Sequence, residues 1–146
     1  MLNKVLNIND IKEKFEHYEL EKYKNEGSYI IIKKDDEKIS IKIDRFSTIP
    51  FYYYVFKDKF YGSTSLQDLI NKKPGDFSIS LNKEASLFFL KTNTFLNDQT
   101  LVKEIFRIPY GCILEFNKKS FKVKIIRHWN FSPKIENQTF YNALDN

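Results

Sequence analysis

The one cysteine and the two histidines are the side chains best suited to nucleophilic chemistry. A thiol becomes a nucleophile when a neighbouring base takes its proton, so Cys112 would need His17 or His128 beside it. Nothing in their distant sequence positions demands that they meet. Cys112 stands between Gly111 and Ile113 in a stretch typical of a buried strand, where a free cysteine behaves as a small apolar residue. We interpret Cys112 as a core residue and predict no metal site, because these three residues are too few as ligands.

Asp44 and Arg45 are the second candidate, either as a clamp for an anion or as a structural pair. The structural role is commoner, and a charge-assisted hydrogen bond between the two side chains would fix the exit of a strand into a loop. The tyrosine run 52–54 alternates between the two faces of a strand, so only part of it can contact a ligand. The acidic run 35–37 is interpreted as a solvated turn, and His128 as a residue at a strand edge.

The composition indicates one domain with a core of its own. The chain has 146 residues, of which 42% are apolar, and this length is typical of a single domain. No apolar run approaches the roughly 18 residues that cross a bilayer, and the charged first residues do not resemble a secretory signal. A single cysteine excludes an internal disulfide framework. We expect a soluble, cytoplasmic protein with no membrane partner.

The net charge of +5 raises the question of nucleic acid. Arginine, the usual reader of phosphates and bases, occurs only at Arg45, Arg107 and Arg127, and the lysines are scattered among acidic residues. That pattern is typical of a solvated surface, so we predict no nucleic-acid partner.

Hydrophobic periodicity predicts about six strands, with helices at both ends of the chain and one in the middle. Asn9 or Asp10 would cap a helix reaching about Lys24. A hairpin follows, with SYIIIKK and KISIKID as its strands and three isoleucines of the second strand on one face. Pro50 is expected to begin the third strand, FYYYVF, because proline is tolerated at a strand's first residue.

The second half of the chain begins with a return strand, KFYGS, and continues through two short helices. Thr64 or Ser65 would cap the helix LQDLIN, and the segment LNKEASLFFLKTN carries Leu81, Ala85 and two phenylalanines at helical spacing. A helical or irregular crossover, LVKEIFRIPYG, leads to a hairpin in which Phe121 should alternate with Val123 and Ile125. This order predicts an α+β domain with mainly antiparallel strands.

The sequence blocks resemble, in order and spacing, the N-terminal glutamine-amidotransferase-like domain of the asparagine synthase family. Its pattern R-D-x-x-G-x-x-P-L-Y-Y, followed by F-A-S-E-x-K-A-L, compares with IDRFSTIPFYYY and FYGSTSLQDL here. Its T-x-x-x-x-I-x-x-L-P-P-G-x-x-L compares with TLVKEIFRIPYGCIL, and its ending Y-W-D-x-x-P with HWNFSP. The resemblance covers residues 28–133. It implies a truncated version of the N-terminal-nucleophile (Ntn) hydrolase sandwich, the class II amidotransferase fold.

The departures from the family pattern are informative. Ser47 or Thr48 stands where the family has glycine, and Ile49 where it has lysine. Active members hydrolyse glutamine with a cysteine as first mature residue, whereas this chain begins Met1-Leu2. No N-G-E-x-Y-N loop and no S-G-G-x-D-S loop of the synthetase domain occurs. We therefore expect no glutaminase activity and no catalytic residue in this chain.

Three segments and two hypotheses follow from the resemblance. Residues 1–27 are predicted to be a helical segment, 28–133 the amidotransferase-like domain, and 134–146 a linker with the start of a synthetase-domain helix. The first hypothesis is a non-catalytic domain of an ATP-dependent amide-forming enzyme that makes asparagine or modifies and cyclises peptides. The alternative is a free-standing module that binds a protein or peptide.

The expected partners are a C-terminal synthetase domain or a peptide substrate, with a homodimer as a further state. ATP and magnesium are expected only in the synthetase domain, and no cofactor or metal in this chain. Residues with a structural or binding role are predicted to be Asp44, Arg45, Pro50, Tyr53, Gly62, Ser63, Pro109, Gly111 and Trp129.

Overall fold

The computed structural model describes residues 6–7, 27–130 and 132, where short strands precede and follow two helices. The strands are β1 (Leu6–Asn7), β2 (Ile30–Lys34), β3 (Lys38–Ile43), β4 (Tyr52–Phe56), β5 (Lys59–Ser63), β6 (Phe106–Arg107), β7 (Cys112–Asn117) and β8 (Val123–Arg127). The helices are α1 (Leu66–Asn71) and α2 (Lys83–Thr92), both between β5 and β6.

The strands form two four-stranded antiparallel sheets. We call the sheet with the order β2-β3-β7-β8 the isoleucine sheet, and the one with the order β1-β5-β4-β6 the aromatic sheet. In the isoleucine sheet Ile39 pairs with Phe116 and Ile41 with Leu114. Because successive side chains point to opposite faces, this register collects the apolar residues of β3 and β7 on one face.

The core lies between the two sheets. Ile41 and Leu114 of the isoleucine sheet share one buried cluster with Tyr53 and Phe60 of the aromatic sheet. The rings of Phe60 and Phe116, one from each sheet, have centroids 5.3 Å apart. The sheets therefore pack face to face, and their apolar faces exclude water from each other.

The other face of the aromatic sheet is covered by α1 and the segment after it. Tyr54 stacks between Tyr61 and Phe77, with ring centroids 4.7 and 4.3 Å apart, and Leu69 of α1 belongs to the same buried cluster. Ser65 caps α1, its side-chain oxygen accepting the N–H of Asp68 at 3.2 Å. A cap of this kind satisfies one of the amides that a helix start leaves unpaired.

Helix α2 is less enclosed than α1. Asn82 caps it by accepting the N–H of Ala85 at 3.1 Å, and it ends at Asn93, which has the left-handed φ of 56°. Ala85 is its one fully buried residue. Leu87 and Leu90 are 61% and 80% exposed.

The α+β class with antiparallel strands is confirmed, as are the hairpins and the Ser65 cap, but three element boundaries are wrong. Strand β4 begins at Tyr52 rather than at Pro50, which lies outside the ladder. Leu81 precedes α2 and forms an isolated bridge with Val102. Phe121 precedes β8 with a left-handed φ of 57°, so it belongs to the turn.

The crossover is irregular and contains β6, and the helix predicted over residues 10–24 lies outside the described residues. None of the helices in the described part of the chain has the length and apolarity to cross a membrane.

Candidate functional site

Asp44 follows β3 directly, and its carboxylate organises the loop that leads to β4. Its Oδ1 accepts the N–H of Phe46 at 2.9 Å and the hydroxyl of Thr48 at 3.1 Å. Its Oδ2 accepts the N–H of Thr48 at 3.1 Å. The residue is 2% exposed. The loop thus supplies the donors that a buried carboxylate requires.

The electrostatics of Asp44 follow from two opposed effects. Burial by itself would raise the pKa of Asp44, but the N–H groups of Thr48 and Phe46 and the Thr48 hydroxyl outweigh it and leave the pKa below its ordinary value. Donors that bond to the ionised form stabilise that form. Asp44 is therefore ionised at neutral pH, and its carboxylate is hydrogen-bonded to backbone N–H groups of its own loop.

The hydrogen bond expected between Asp44 and Arg45 is not what the structure shows. The Arg45 guanidinium lies over the Trp129 ring, 5.8 Å from its centroid. Among the described residues Arg45 Nε has no hydrogen-bond partner. The two neighbours thus act separately: Asp44 holds the loop and Arg45 contacts an aromatic ring.

Ser47 occupies the third position after Asp44, where the resembled motif has glycine. Its φ of 53° lies in the left-handed region, which glycine adopts without the steric cost that a Cβ adds. Its N–H donates to the Asp44 carbonyl at 3.2 Å, while its buried Oγ has no partner within the described part of the chain. The turn that glycine serves in the motif is therefore kept here with a serine in a strained conformation.

Gly111 joins the Asp44 loop to the end of the domain. Its N–H donates to the Asp44 carbonyl at 3.3 Å, and its own carbonyl accepts the N–H groups of His128 at 2.9 Å and Trp129 at 3.1 Å. Its φ is 60°, and a Cβ added there would lie 2.7 Å from the Trp129 carbonyl oxygen. Only glycine fits this junction, which brings together Asp44, Gly111 and Trp129.

Around this junction lies a surface of aromatic rings and guanidinium groups, which we call the aromatic–arginine surface: Arg45, Phe46, Tyr110, Arg127 and Trp129. Phe46 meets Trp129 edge to face with centroids 5.5 Å apart, and the Arg127 guanidinium lies 5.0 Å from the Tyr110 ring centroid. Phe46 is 71% exposed and Tyr110 46% exposed. Large aromatic side chains with this exposure, beside arginines, are the residue types that dominate protein interfaces.

The remaining predicted residues lie elsewhere. Tyr53 is inside the core, 5.8 Å from Phe60 between ring centroids, and burial raises its pKa to about 12. Gly62 leaves room for Phe51, since a Cβ there would lie 2.7 Å from that ring. Ser63 Oγ accepts the N–H of Ser65 at 3.0 Å, next to the α1 cap. Pro50 is half-buried and Pro109 is buried.

The candidate nucleophile is buried in the core. Cys112 is 1% exposed within the cluster between the sheets, and burial raises the pKa of its thiol, an effect that the charge of Arg127 only partly offsets. His128 Nε2 lies 3.1 Å from the Ile43 carbonyl oxygen. Burial lowers the pKa of His128 against the opposing effect of that contact. His17 lies outside the described residues.

Thr100 is a second buried polar side chain, and the sequence alone predicts no site role for it. Its hydroxyl oxygen lies 2.7 Å from the Ile105 carbonyl oxygen and accepts the N–H of Val102 at 3.0 Å. Thr100 is 2% exposed. In the family pattern T-x-x-x-x-I, the threonine and the isoleucine are therefore the two ends of one turn, and the threonine hydroxyl contacts the isoleucine carbonyl across it.

A groove of about 610 Å³ opens beside this turn, lined among others by Asn82, Asp98, Thr100 and Phe106. Its walls come from two segments joined by the bridge between Leu81 and Val102. No local sequence pattern predicts that these two segments pair. Across the described residues, no three histidine, cysteine or acidic side chains come together as a metal site.

These observations define the class: an α+β domain of two face-to-face antiparallel sheets, whose connecting loops are held by buried polar side chains. A scan against protein families matches residues 13–129 to the glutamine amidotransferase domain. That range covers most of the chain, and the chain belongs to this domain family. A search of curated proteins found no match.

Proposed function

We propose that this chain is a glutaminase-like domain that hydrolyses no glutamine itself and serves as a scaffold in an asparagine-synthase-like, ATP-dependent amide-forming enzyme. The observation that carries the proposal is the position of Cys112. It is the one cysteine of the chain, and its side chain lies in the apolar core between the sheets.

Glutamine hydrolysis by a thiol requires a thiolate that the substrate can reach. Cys112 meets neither condition, because it is 1% exposed and burial raises its pKa. His128 is committed to a contact with the Ile43 carbonyl at 3.1 Å. Since no other thiol occurs in the sequence, the chain supplies structure to the enzyme rather than the nucleophile.

The asparagine-synthase-like parent is supported by the roles that the resembled blocks play in the fold. Asp44, Thr100 and Gly111 each form backbone contacts that hold a turn. We propose that the two sheets correspond to a shortened Ntn-hydrolase sandwich. A following synthetase domain in the cytoplasm would bind ATP and magnesium, activate a carboxylate and join it to an amine or a peptide.

A free-standing binding module is the second candidate, and the aromatic–arginine surface favours it. Phe46 and Tyr110 are exposed beside Arg45 and Arg127, so a peptide with aromatic or acidic side chains would find stacking and charge there. A module of this kind needs no ligase partner.

The direct test of the first proposal is ammonia release. We expect the purified chain to release no more ammonia from glutamine than a heat-denatured sample, and to remain unlabelled by a diazoketone analogue of glutamine. Cys112→Ala is the matched variant, with its folding checked by thermal unfolding. Ammonia release by the wild type that this substitution abolishes would overturn the proposal.

The parent enzyme is tested separately by reading the gene past the codon for Asn146. An open frame containing an S-G-G-x-D-S loop supports the ligase, whereas a stop codon supports the module.

A further inference from the structure

Helix α2 presents its apolar residues to solvent as well as to the domain. Its inward face is formed by Ala85, which is buried, and by the half-buried Phe88 and Phe89. On the opposite face Leu87 and Leu90 are 61% and 80% exposed. The two leucines lie three residues apart, so they form one short stripe along the helix.

Two leucines with this exposure on successive turns of one helix form an apolar patch that a partner can cover. We infer that α2 pairs antiparallel with α2 of a second copy of this chain, through Leu87 and Leu90.

The charges beside the stripe identify a second copy as the occupant. Glu84 and Lys91 are seven residues apart, so at about 100° per residue they lie on the same flank of α2. In an antiparallel pair related by a two-fold axis, each flank faces the same flank of the other helix. Glu84 of each copy then lies opposite Lys91 of the other, which gives two equivalent ion pairs.

The leucines fit the same arrangement. The two-fold axis that pairs Glu84 with Lys91 passes beside Leu87, so Leu87 and Leu90 of both copies meet around it. Among the described residues neither Glu84 nor Lys91 has an ion-pair partner within its own chain.

Another role for these two charges is local. An acidic residue in the first turn and a basic residue in the last turn both favour the helix dipole, and Glu84 and Lys91 occupy those turns. The two roles predict opposite results when both charges are reversed. If the charges act only on the helix dipole, the variant with both Glu84→Lys and Lys91→Glu has the least stable helix. If they act across an antiparallel dimer, the same variant forms both ion pairs again and dimerises like the wild type.

The first experiment is analytical ultracentrifugation of the full chain from micromolar to millimolar concentration. A contact through two leucines of a 10-residue helix is expected to bury less than the ~1,200 Å² of a standard interface. We therefore expect a reversible equilibrium between monomer and dimer. Leu87→Gln with Leu90→Gln should remove the dimer without lowering the melting temperature, because both side chains face solvent. The matched control is Phe46→Gln, which changes a 71% exposed ring outside α2 and should leave the dimer unchanged.

The second experiment tests the geometry at low salt. Glu84→Lys alone and Lys91→Glu alone should each weaken the dimer about tenfold, and the double reversal should return the dissociation constant to within about threefold of the wild type. A chain that stays monomeric throughout overturns the inference. So does a dimer that survives the leucine substitutions, or a double reversal that is weaker than either single reversal.

Discussion

Two loops of this domain are each held by one buried polar side chain, and they differ in the kind of group that does it. Asp44 holds the loop between β3 and β4, and Thr100 holds the turn before β6. Each residue is 2% exposed. Both side chains form hydrogen bonds with backbone groups. In both loops a side chain therefore pairs backbone groups that a neighbouring strand would pair in a sheet.

The two loops differ in the charge of the side chain that holds them and in how many other elements each loop contacts. The Asp44 carboxylate only accepts hydrogen bonds, and the N–H groups of Phe46 and Thr48 stabilise its ionised form. The Thr100 hydroxyl both donates and accepts within residues 100–105. The Asp44 loop is also tied through Gly111 to the end of β8, whereas the Thr100 turn is local. We therefore expect the first loop to be the more sensitive to substitution and to pH.

The largest effect is expected where the Asp44 loop meets Gly111. Gly111→Ala should lower the free energy of unfolding by about 3 kcal/mol, because an alanine would carry a left-handed φ and place its Cβ against the Trp129 carbonyl. Urea denaturation measures the change. Gly75→Ala is the control, since a Cβ there meets no atom within 4 Å. Equal losses in both variants would show that the junction is not strained.

Substitution of the two polar residues compares the loops directly. Asp44→Asn should lower the free energy of unfolding by about 2 kcal/mol, because an amide nitrogen would replace one acceptor of a charged group. Thr100→Val keeps the shape of the side chain and should cost about 1.5 kcal/mol, since it leaves the Val102 N–H unpaired. Both values follow from urea denaturation at neutral pH. A larger loss for Thr100→Val would reverse the ranking of the loops.

The pH dependence separates the loops further. The pKa of Asp44 in the folded chain lies below its unfolded value of about 3.9. Its contribution is therefore present above that unfolded value and is lost as pH falls through the folded pKa. Unfolding measured from neutral pH into the acid range should show the gap between wild type and Asp44→Asn narrowing below about pH 4. The difference in the free energy of unfolding between wild type and Thr100→Val should not change with pH. If the difference for Asp44→Asn also stays constant, the lowered pKa of Asp44 is contradicted.

The smallest effect is a gain. Ser47→Gly should raise the free energy of unfolding by about 0.5–1 kcal/mol, because glycine adopts the left-handed φ of Ser47 without strain and removes an unpaired buried hydroxyl. The greater freedom of glycine in the unfolded chain offsets part of this gain. Thermal unfolding measures the shift. Ser47→Ala, which removes the hydroxyl but keeps the Cβ, distinguishes the two contributions.

Local patterns were sufficient for the hairpins and for the α1 cap, because strand alternation and a capping serine act over a few residues. The pairing of β3 with β7 joins residues far apart in sequence, and no periodicity encodes it. The partners of Asp44 are a different case, because they are local. Its neighbour Arg45 is the charged side chain that the sequence suggests, whereas the donors are the N–H groups of Phe46 and Thr48 in the loop itself. The burial of Cys112 could be predicted from its apolar neighbours.

The enclosed position of Cys112 also gives the molecule an internal reporter. A disulfide reagent should modify the folded chain only when the two sheets separate, and it would find a single target when they do. The rate of that modification would then measure how often the domain opens, without an added dye or an engineered label.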